Sequence, residues 1–427
     1  MAHGIDRRAF IRRGGRLLAG ALAAPAVLAA GPLLAGERIG IAYIGCGRRS
    51  EGLRNLPAEG RIVAAADCCL SRAEAVVTSG GGKAFGDYRK LLEMKEVDAV
   101  IIASPDHWHT LQAIHACQAG KDVYVEKPMT LTVVEGRRLV AAARRYGRIV
   151  QCGSQQRSMA ANRIACEIIR SGRIGKVHTV IGANYPSPWE CRLPGQPVPP
   201  GLDWDAWCGP TELVPYHTEI FTPRANPGWI SFRPWSGGEM TGWGAHGLDQ
   251  VQWALGMDTG GPLEVWVEGE KLSAPTFTEP GPRSKGEAIT AKPKVLFRYG
   301  SGTVLRLENG PEGGAIFIGE KGRITVDRGR FWGDPAEVAP EATEQSRRGG
   351  QDRHLENWFE CMKSRKLPAA DVEIGHRSTT LCHLGNMARS LGRKLRWDPE
   401  KEEFPGDPEA NGLLDRTRRR GYELPVI

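Results

Sequence analysis

Between residues 37 and 157, short apolar runs alternate with longer amphipathic stretches. The apolar runs predict buried strands at 39–44, 61–67, 97–104, 122–125 and 148–152. Helices are predicted at 110–119 and 132–146, and Thr132 and Glu135 have the spacing of a capping box. Strands that alternate with helices in this order predict an α/β fold, namely a doubly wound parallel sheet.

From residue 158 onward the pattern changes. One helix is predicted at 159–170. Strands are then predicted at 177–183, 263–267, 294–298, 303–307, 315–318 and 324–326, joined mainly by Gly- and Pro-rich loops. With few long helices between them, these strands predict an α+β second domain with a large, mostly antiparallel open sheet. The predicted organisation is a leader at 1–36, a first domain at 37–157, a second domain at 158–397 and a polar tail at 398–427. The open sheet face would cover a bound cofactor or pair with another subunit, and because exposed sheet faces are usually buried by association, a homo-oligomer is predicted.

Residues 1–36 have the pattern of an export leader. The stretch Asp6-Arg7-Arg8-Ala9-Phe10-Ile11-Arg12 precedes a Leu- and Ala-rich run at 17–35. The arginine pair followed by Phe10 is typical of the twin-arginine pathway, which predicts a periplasmic protein exported after folding. The alternative is an uncleaved leader that anchors the chain, although Pro25 and Pro32 interrupt a continuous spanning helix. No later stretch predicts a membrane span, so no stable membrane association is expected.

Composition excludes several classes of protein. Among 427 residues, 41% are hydrophobic and 25% are charged, which excludes intrinsic disorder. Ten cysteines without a C-x-x-C pair support neither a disulfide scaffold nor a structural zinc site, so no metal is predicted. The net charge is +8; five Arg and one Asp in residues 1–36 supply +4 of it and leave +4 for the rest. That weak excess predicts no nucleic-acid partner.

The loop after the first predicted strand has the composition of a dinucleotide-binding turn. It runs Gly45-Cys46-Gly47-Arg48-Arg49-Ser50. The first glycine permits the tight turn, and the second lets a pyrophosphate approach the backbone at the start of a helix. Gly45, Cys46, Gly47 and Arg48 are therefore candidate cofactor-binding residues, although Arg48 and Arg49 can equally face solvent.

Asp67 ends the second predicted strand, 22 residues after Gly45. A carboxylate at this distance is placed to bind the ribose hydroxyls of the adenosine and to repel a 2′-phosphate. NAD is therefore predicted, with NADP less favoured. The alternative is that Asp67 caps the turn that follows it.

Two further motifs follow the third and fourth predicted strands: Ser104-Pro105-Asp106-His107-Trp108-His109 and Glu126-Lys127-Pro128. With the glycine loop, they resemble the glucose–fructose oxidoreductase / inositol dehydrogenase / rhizopine catabolism (Gfo/Idh/MocA) family. The resemblance extends through residues 316–329 and 371–377. It implies a Rossmann domain followed by a substrate-binding domain, an oxidoreductase that moves a hydride between a nicotinamide and a carbohydrate or cyclitol carbon, and a dimer or tetramer.

The resemblance also implies roles for single residues. Lys127 matches the family's catalytic lysine, and its bond to Pro128 is expected to be cis. Ser104, Pro105, His109 and Glu126 are implied along the dinucleotide, with His109 alternatively capping a helix that begins at Thr110. His107 and Trp108 would shield the nicotinamide or begin the substrate pocket.

In the second domain, the segment from Trp243 to Asp249 opens a predicted helix. His246 matches the family's histidine and is the implied general base, a role that suits an imidazole because its pKa lies near neutrality. The family carries Asp where this chain has Gly242, and Asp249 or Glu239 are the candidate replacements. The candidate substrate contacts are Arg157, Tyr185, Trp243 and Asp249. For Trp204 and Trp207 the favoured interpretation is that they fasten a long loop rather than bind sugar.

Three hypotheses remain open on the sequence. The first is an NAD-dependent sugar or polyol dehydrogenase that uses Lys127 and His246. The second is a redox-assisted enzyme that cleaves glycosides with NAD retained. The third, suggested by Gly242, is a catalytically degenerate protein that binds NAD or sugar.

Overall fold

The computed structural model describes residues 38–78, 80–222, 228–280, 290–342 and 353–427, so the predicted leader at 1–36 lies outside the described residues. The first sheet has six parallel strands in the order β3-β2-β1-β4-β5-β6. These strands are β1 Ile39–Ile44, β2 Gly60–Ala66, β3 Lys83–Phe85, β4 Ala99–Ile102, β5 Asp122–Val125 and β6 Val150–Cys152. Its helices are α1 Arg48–Glu51, α2 Leu70–Val77, α3 Tyr88–Leu92, α4 Asp106–Gln118 and α5 Val133–Arg145.

The central strands of this sheet are buried on both faces. Every residue of β1, β4 and β5 is buried, because helices cover both sides of the sheet. The five predicted strands and the capped start of α5 are confirmed, and the Thr132 hydroxyl accepts the Glu135 amide at 3.1 Å. The sequence analysis missed the edge strand β3, since its three residues carry little pattern.

The second sheet has eight strands in the order β15-β14-β13-β7-β12-β11-β9-β16. Only the pairing of β7 with β12 is parallel; the other pairings are antiparallel. The strands are β7 Val177–Ala183, β9 Glu264–Glu268, β11 Lys294–Arg298, β12 Val304–Glu308, β13 Gly314–Gly319, β14 Gly322–Asp327, β15 Arg330–Asp334 and β16 Leu395–Arg396. A separate pair is formed by β8 Glu190–Cys191 and β10 Thr276–Phe277.

Helices cover one face of the second sheet. The other face is not covered by helices and carries both charged and apolar residues. The main covering helices are α6 Ala160–Arg170, α10 Gly244–Ala254 and α12 Val372–Leu391. On β12, Leu305 and Leu307 are buried, whereas Val304, Arg306 and Glu308 are only partly buried. This alternation is typical of a sheet with one solvated face, and it confirms the predicted α+β architecture.

The remaining helices are short or lie near the carboxyl terminus. They are α7 Trp204–Cys208, α8 Thr218–Phe221, α9 Glu239–Gly242, α11 His354–Ser364 and α13 Pro408–Asn411, with 3-10 turns at Gln155–Ser158, Trp229–Ser231 and Ala336–Val338. Within the described ranges, no helix combines the length and apolar character that a bilayer crossing requires.

The carboxyl-terminal part of the chain returns to the first domain. Trp358 and Phe359 of α11 pack beneath the first sheet, and Tyr422 packs against its opposite core with two further tail residues, Leu424 and Ile427. The buried Glu135 carboxylate pairs with Arg416 at 2.8 Å and Arg418 at 3.0 Å. The tail is therefore fastened onto the first domain rather than lying loosely on the surface.

The Trp-rich loop between β7 and α9 forms its own aromatic core. Trp204 and Trp207 are buried and stack with ring centroids 4.5 Å apart. Tyr216 meets Trp204 edge-on at 5.0 Å. These contacts support the prediction that the two tryptophans fasten the loop.

Candidate active site

A cleft of about 1000 Å³ lies along the carboxyl edge of the first sheet. Gly45, Asp67, Ser104 and Lys127, which follow four different strands, line it. The carboxyl ends of parallel strands are where ligands bind in such sheets, because the loops diverge there. Residues of the second domain, including Trp207, Ile230 and His246, complete the wall.

The glycine loop leaves open space beside its own backbone, where the phosphates of a ligand could approach. Gly45 has a φ of +83°, and a Cβ there would overlap the backbone of Ser104. A Cβ at Gly47 would meet nothing within 4 Å, so the chain itself does not fill the space beside this residue. The helix after the loop, α1, spans only Arg48–Glu51. The side of the cleft at Gly47 fits a pyrophosphate, and Arg48 lines it with an exposed side chain.

Asp67 has the capping contacts that the sequence offered as the alternative, and its ribose-binding role stays a prediction. Its carboxylate accepts the backbone amide of Cys46 at 2.7 Å and that of Cys69 at 2.8 Å, so it also fixes the turn after β2. It still lines the cleft. Cys46 itself points its thiol toward the carbonyl of Ala66 at 3.6 Å, is buried and does not line the cleft, so the structure does not bring this predicted cofactor contact to the site.

Lys127 extends from the end of β5 toward the second domain. Its Nζ donates to the carbonyl of Gly242 at 3.0 Å, and its bond to Pro128 is cis, as expected. The neighbouring Glu126 is buried and pairs with Arg49 at 2.6 Å. Glu126 therefore fixes Arg49 of the glycine loop, whereas the Lys127 ammonium reaches the second domain.

The helix after β4 begins earlier than predicted and corrects the interpretation of His109. Helix α4 starts at Asp106, so His109 lies inside its first turns and does not cap it. Its ring nitrogens lie 2.7 Å from the Pro128 carbonyl and 2.8 Å from the Ser104 carbonyl. His109 thus joins the loop of Ser104 and Pro105 to the Lys127–Pro128 turn.

His107 and Trp108 face the Trp-rich loop. His107 Nε2 lies 2.8 Å from the Trp207 carbonyl, and the Trp108 indole donates to the carbonyls of Ala206 and Trp207 at 3.1 Å. Of the two, only Trp108 lines the cleft. Their main effect is to dock the second-domain loop on the first domain.

Asp106 is a site residue that the sequence analysis quoted but did not assign. It lines the cleft although only 3% of it is exposed, and Ser236 donates to its Oδ2 at 2.8 Å. Burial raises the pKa of Asp106 from 3.8 to about 6, against the lowering effect of His109 and Lys127. The available signal was a carboxylate directly after Ser-Pro at a strand end.

His246 comes from α10 of the second domain and is 4% exposed. It lines the same cleft as Lys127, and its ring lies 5.6 Å from that of Trp243. An ammonium and an imidazole thus line the same cleft as the glycine loop and Asp67. This arrangement can bind a hydroxyl and exchange its proton beside a dinucleotide.

Two family models match the chain. One, described as an oxidoreductase family NAD-binding Rossmann fold, matches residues 39–154. The other, described as an oxidoreductase family C-terminal alpha/beta domain, matches residues 167–424, more than half of the chain. The chain belongs to the Gfo/Idh/MocA oxidoreductase family.

Several members of the Gfo/Idh/MocA family are similar to parts of the chain. An uncharacterized oxidoreductase of Rhizobium meliloti is 40% identical over 129 residues, 30% of this chain and 39% of that protein. Inositol 2-dehydrogenase of Salmonella typhimurium is 32% identical over 150 residues, 34% of this chain and 44% of that protein. The chain thus matches less than half the length of these relatives.

Among solved structures, WlbA dehydrogenase from Chromobacterium violaceum in complex with NADH and UDP-GlcNAcA has a TM-score of 0.63. It is 17% identical and covers 87% of this chain and 99% of that chain. At this identity the likeness shows the shared fold.

Three of the predicted substrate contacts lie inside the second domain instead of on the cleft. Arg157 and Asp249 form an ion pair at 2.8 Å whose side chains are 2% and 1% exposed, and Arg157 also pairs with Asp258 at 2.9 Å. Tyr185 is buried and donates to the Glu312 carbonyl at 2.7 Å. These three residues were predicted because they follow strand ends or lie on α10. Their side chains point away from the cleft, because packing and not position in the chain sets side-chain direction.

Trp243, the fourth of these candidates, borders the cleft without lining it. Its ring is partly buried, and the Arg328 guanidinium lies 5.4 Å from the ring centroid. Arg328 does line the cleft. The sequence analysis missed Arg328 because it lies in a turn between two strands of the second sheet.

Tyr422 is another lining residue that the sequence did not predict. Its ring meets Trp108 edge-on at 5.5 Å, and the neighbouring Arg419 pairs with Asp205 of the Trp-rich loop at 2.8 Å. No motif marks a tail residue 355 positions away from Asp67 in sequence as its neighbour in a cleft.

Proposed function

We propose that this chain is an NAD-dependent dehydrogenase that transfers a hydride between the nicotinamide and a hydroxyl-bearing carbon of a sugar or polyol. The observation that carries the proposal is that Lys127 and His246, from different domains, line one cleft with the glycine loop and Asp67. The inositol 2-dehydrogenase and the UDP-GlcNAcA complex among the relatives support a polyhydroxylated substrate. The Asp67 carboxylate favours NAD over NADP because a 2′-phosphate would be repelled.

The residues divide the chemistry between them. A nicotinamide bound in the cleft would supply or accept the hydride. The Lys127 ammonium donates a hydrogen bond to the reacting oxygen and stabilises the negative charge that develops on it. The His246 imidazole accepts the hydroxyl proton during oxidation and returns it during reduction. His246 is buried and Lys127 is half-buried, which limits the access of water to the reacting oxygen.

The test is NADH absorbance during incubation of purified protein with NAD and a panel of inositols, aldoses and uronic acids. We expect Lys127→Met and His246→Gln each to lower kcat by about 10²–10⁴-fold while NAD still binds. Lys321→Met, at an exposed position, is the matched control. Wild-type protein that binds NAD without turning over any polyol would identify a degenerate site, and absence of NAD binding would refute the proposal.

A second candidate function is favoured by the covering of the adenosine end of the cleft. The Trp-rich loop and the tail meet there through Arg419 and Asp205, and Tyr422 lines the wall. Such a cover favours NAD that stays bound, as required when a sugar is oxidised, loses its glycosidic substituent by elimination, adds water to the resulting double bond and is then reduced again. Release of free sugar by NAD-loaded protein, without net NADH and without added NAD, would select this function over a simple dehydrogenase.

We further propose that the enzyme acts in the periplasm as a homo-oligomer. The leader pattern at Arg7 and Arg8 supports export, and the open face of the second sheet supports subunit association. Fractionation of cells that express the full chain and light scattering of the purified protein test the two statements separately. Retention in the cytoplasm after Arg7 and Arg8 are both changed to Lys is the expected result for the twin-arginine route.

A further inference from the structure

The chain that leads into α9 is fixed against the first domain. The Ser236 hydroxyl donates to Asp106 across the cleft wall. Gly238 has a φ of +71°, and a Cβ there would lie 2.6 Å from the Pro188 nitrogen, so only glycine fits. The path of this segment places the first residue of α9, Glu239, at the domain junction.

The Glu239 side chain occupies the space beside Gly242. Its Oε2 accepts the Trp243 amide at 3.2 Å. A Cβ built on Gly242 would lie 2.5 Å from the same Oε2 and 3.2 Å from Cδ1 of Ile230, which lines the cleft. A side chain at 242 and the carboxylate of Glu239 would therefore compete for one volume.

This volume adjoins both groups of the proposed chemistry. Lys127 donates to the carbonyl of Gly242 itself. Glu239, Gly242 and His246 follow one another at spacings of three and four along consecutive helical turns, which places them on one face. Lys127 and Glu239 both act on the charge of Asp106, so the carboxylate of Glu239 belongs to the same electrostatic neighbourhood.

We propose that Glu239 is the positioning carboxylate of this site, which orients and stabilises the charged forms of Lys127 and His246 from the space that Gly242 leaves open. The inference rests on the proposed function. When a hydroxyl is oxidised, its proton moves to the His246 imidazole, and the negative charge of Glu239 stabilises the resulting imidazolium. The other charged groups facing this point are Asp106 and Arg328.

The structure itself supplies an alternative role, because the bond from the Trp243 amide makes Glu239 a cap for α10. A cap affects stability, whereas a positioning carboxylate affects the pH profile and the titration of His246. The experiment therefore compares wild type with Glu239→Gln, which keeps the size and an acceptor oxygen but removes the charge. Glu337→Gln, an exposed residue of the same domain, is the control for the loss of one negative charge.

Glu239→Gln should lower kcat about 10–100-fold with little change in the KM for NAD, and it should shift the acid limb of the kcat profile. In NMR titrations of the protein without substrate, it should also lower the pKa of His246 by about one unit, because a neighbouring negative charge is lost. The titration decides the inference even if no substrate turns over. Unchanged kcat and unchanged His246 titration, with a lower melting temperature alone, would overturn it in favour of the cap.

Moving the carboxylate from position 239 to position 242 distinguishes loss of its charge from simple misfolding. Gly242→Asp alone should lower activity, since its side chain lies 2.5 Å from the Glu239 oxygen at the first atom. The double variant Glu239→Gly/Gly242→Asp moves the carboxylate by one helical turn and should recover activity to within about fivefold of wild type. A double variant no better than Glu239→Gln, at wild-type melting temperature, would overturn the inference and leave the proposed function intact.

Discussion

Replacing Asp106 with asparagine measures how much ionisation of this buried carboxyl group lowers the free energy of unfolding. Asp106 is 3% exposed, and burial raises its pKa from 3.8 to about 6. A difference of about two pH units corresponds to about 3 kcal/mol. Because the folded protein holds the proton more tightly than the unfolded chain, the stabilising contribution is complete below pH 4 and lost above about pH 6.

Asparagine has no proton to release and can still accept the Ser236 hydroxyl. The free energy of unfolding of Asp106→Asn, relative to wild type, should therefore rise by about 2 kcal/mol between pH 4.5 and pH 7.5, because about 1 kcal/mol of the total is already lost at pH 4.5. All other titrating groups are shared, so their contributions cancel in the difference. Urea unfolding of both proteins at pH 4.5, 5.5, 6.5 and 7.5, followed by tryptophan fluorescence, measures it. A difference that does not change with pH would refute the assignment of a raised pKa.

Three further predictions concern the cofactor cleft and the corrected substrate candidates. Asp67→Ser should raise the KM for NAD about tenfold and weaken the preference over NADP, because a charged hydrogen-bond acceptor is lost; equal KM changes for both cofactors would contradict this. Asp249→Asn should lower the free energy of unfolding by about 3–5 kcal/mol, since Arg157 loses its buried counter-charge. Unchanged urea stability with a raised KM for sugar would contradict this and would indicate that Asp249 contacts the substrate. Tyr422→Ala should weaken NAD binding about fivefold in fluorescence titrations, as expected for loss of an aromatic contact with Trp108, whereas unchanged affinity would place the tail outside the adenosine site.

Local sequence was sufficient for the first sheet and much of the second. The apolar runs of β1 and β5 are continuous because both faces of a parallel sheet are buried, so they predict the same bounds that the structure has. The Gly45 and Lys127 motifs lie directly after such strands, and their placement at one edge follows from the topology. Edge strands such as β3 and β15 carry too few buried residues to be predicted.

Side-chain direction limited the prediction of the site. Arg157 and Asp249 were predicted at the cleft from their positions in the chain, yet the structure pairs them in the interior. Asp106 was passed over, although the structure places its carboxyl in the cleft wall. A residue just past a strand end can point into the cleft or under the neighbouring helix, and packing across domains chooses between them.

The sequence by itself determined the two-domain architecture, the glycine turn with its carboxylate, and the lysine that ends β5, because each depends on contacts within a few residues or on strand order. Only the tertiary structure decided that Glu239 fills the space beside Gly242, that Asp106 is buried next to Lys127, and that Tyr422 reaches the cleft. The contact of Ser236 with Asp106 joins residues 130 positions apart, and Tyr422 lines the cleft with residues more than 300 positions before it. Asp106 and Lys127 are close in sequence, but their places in the cleft wall depend on the same junction between the domains. Their physical basis is the burial of charge between two domains, which has no local signature in the chain.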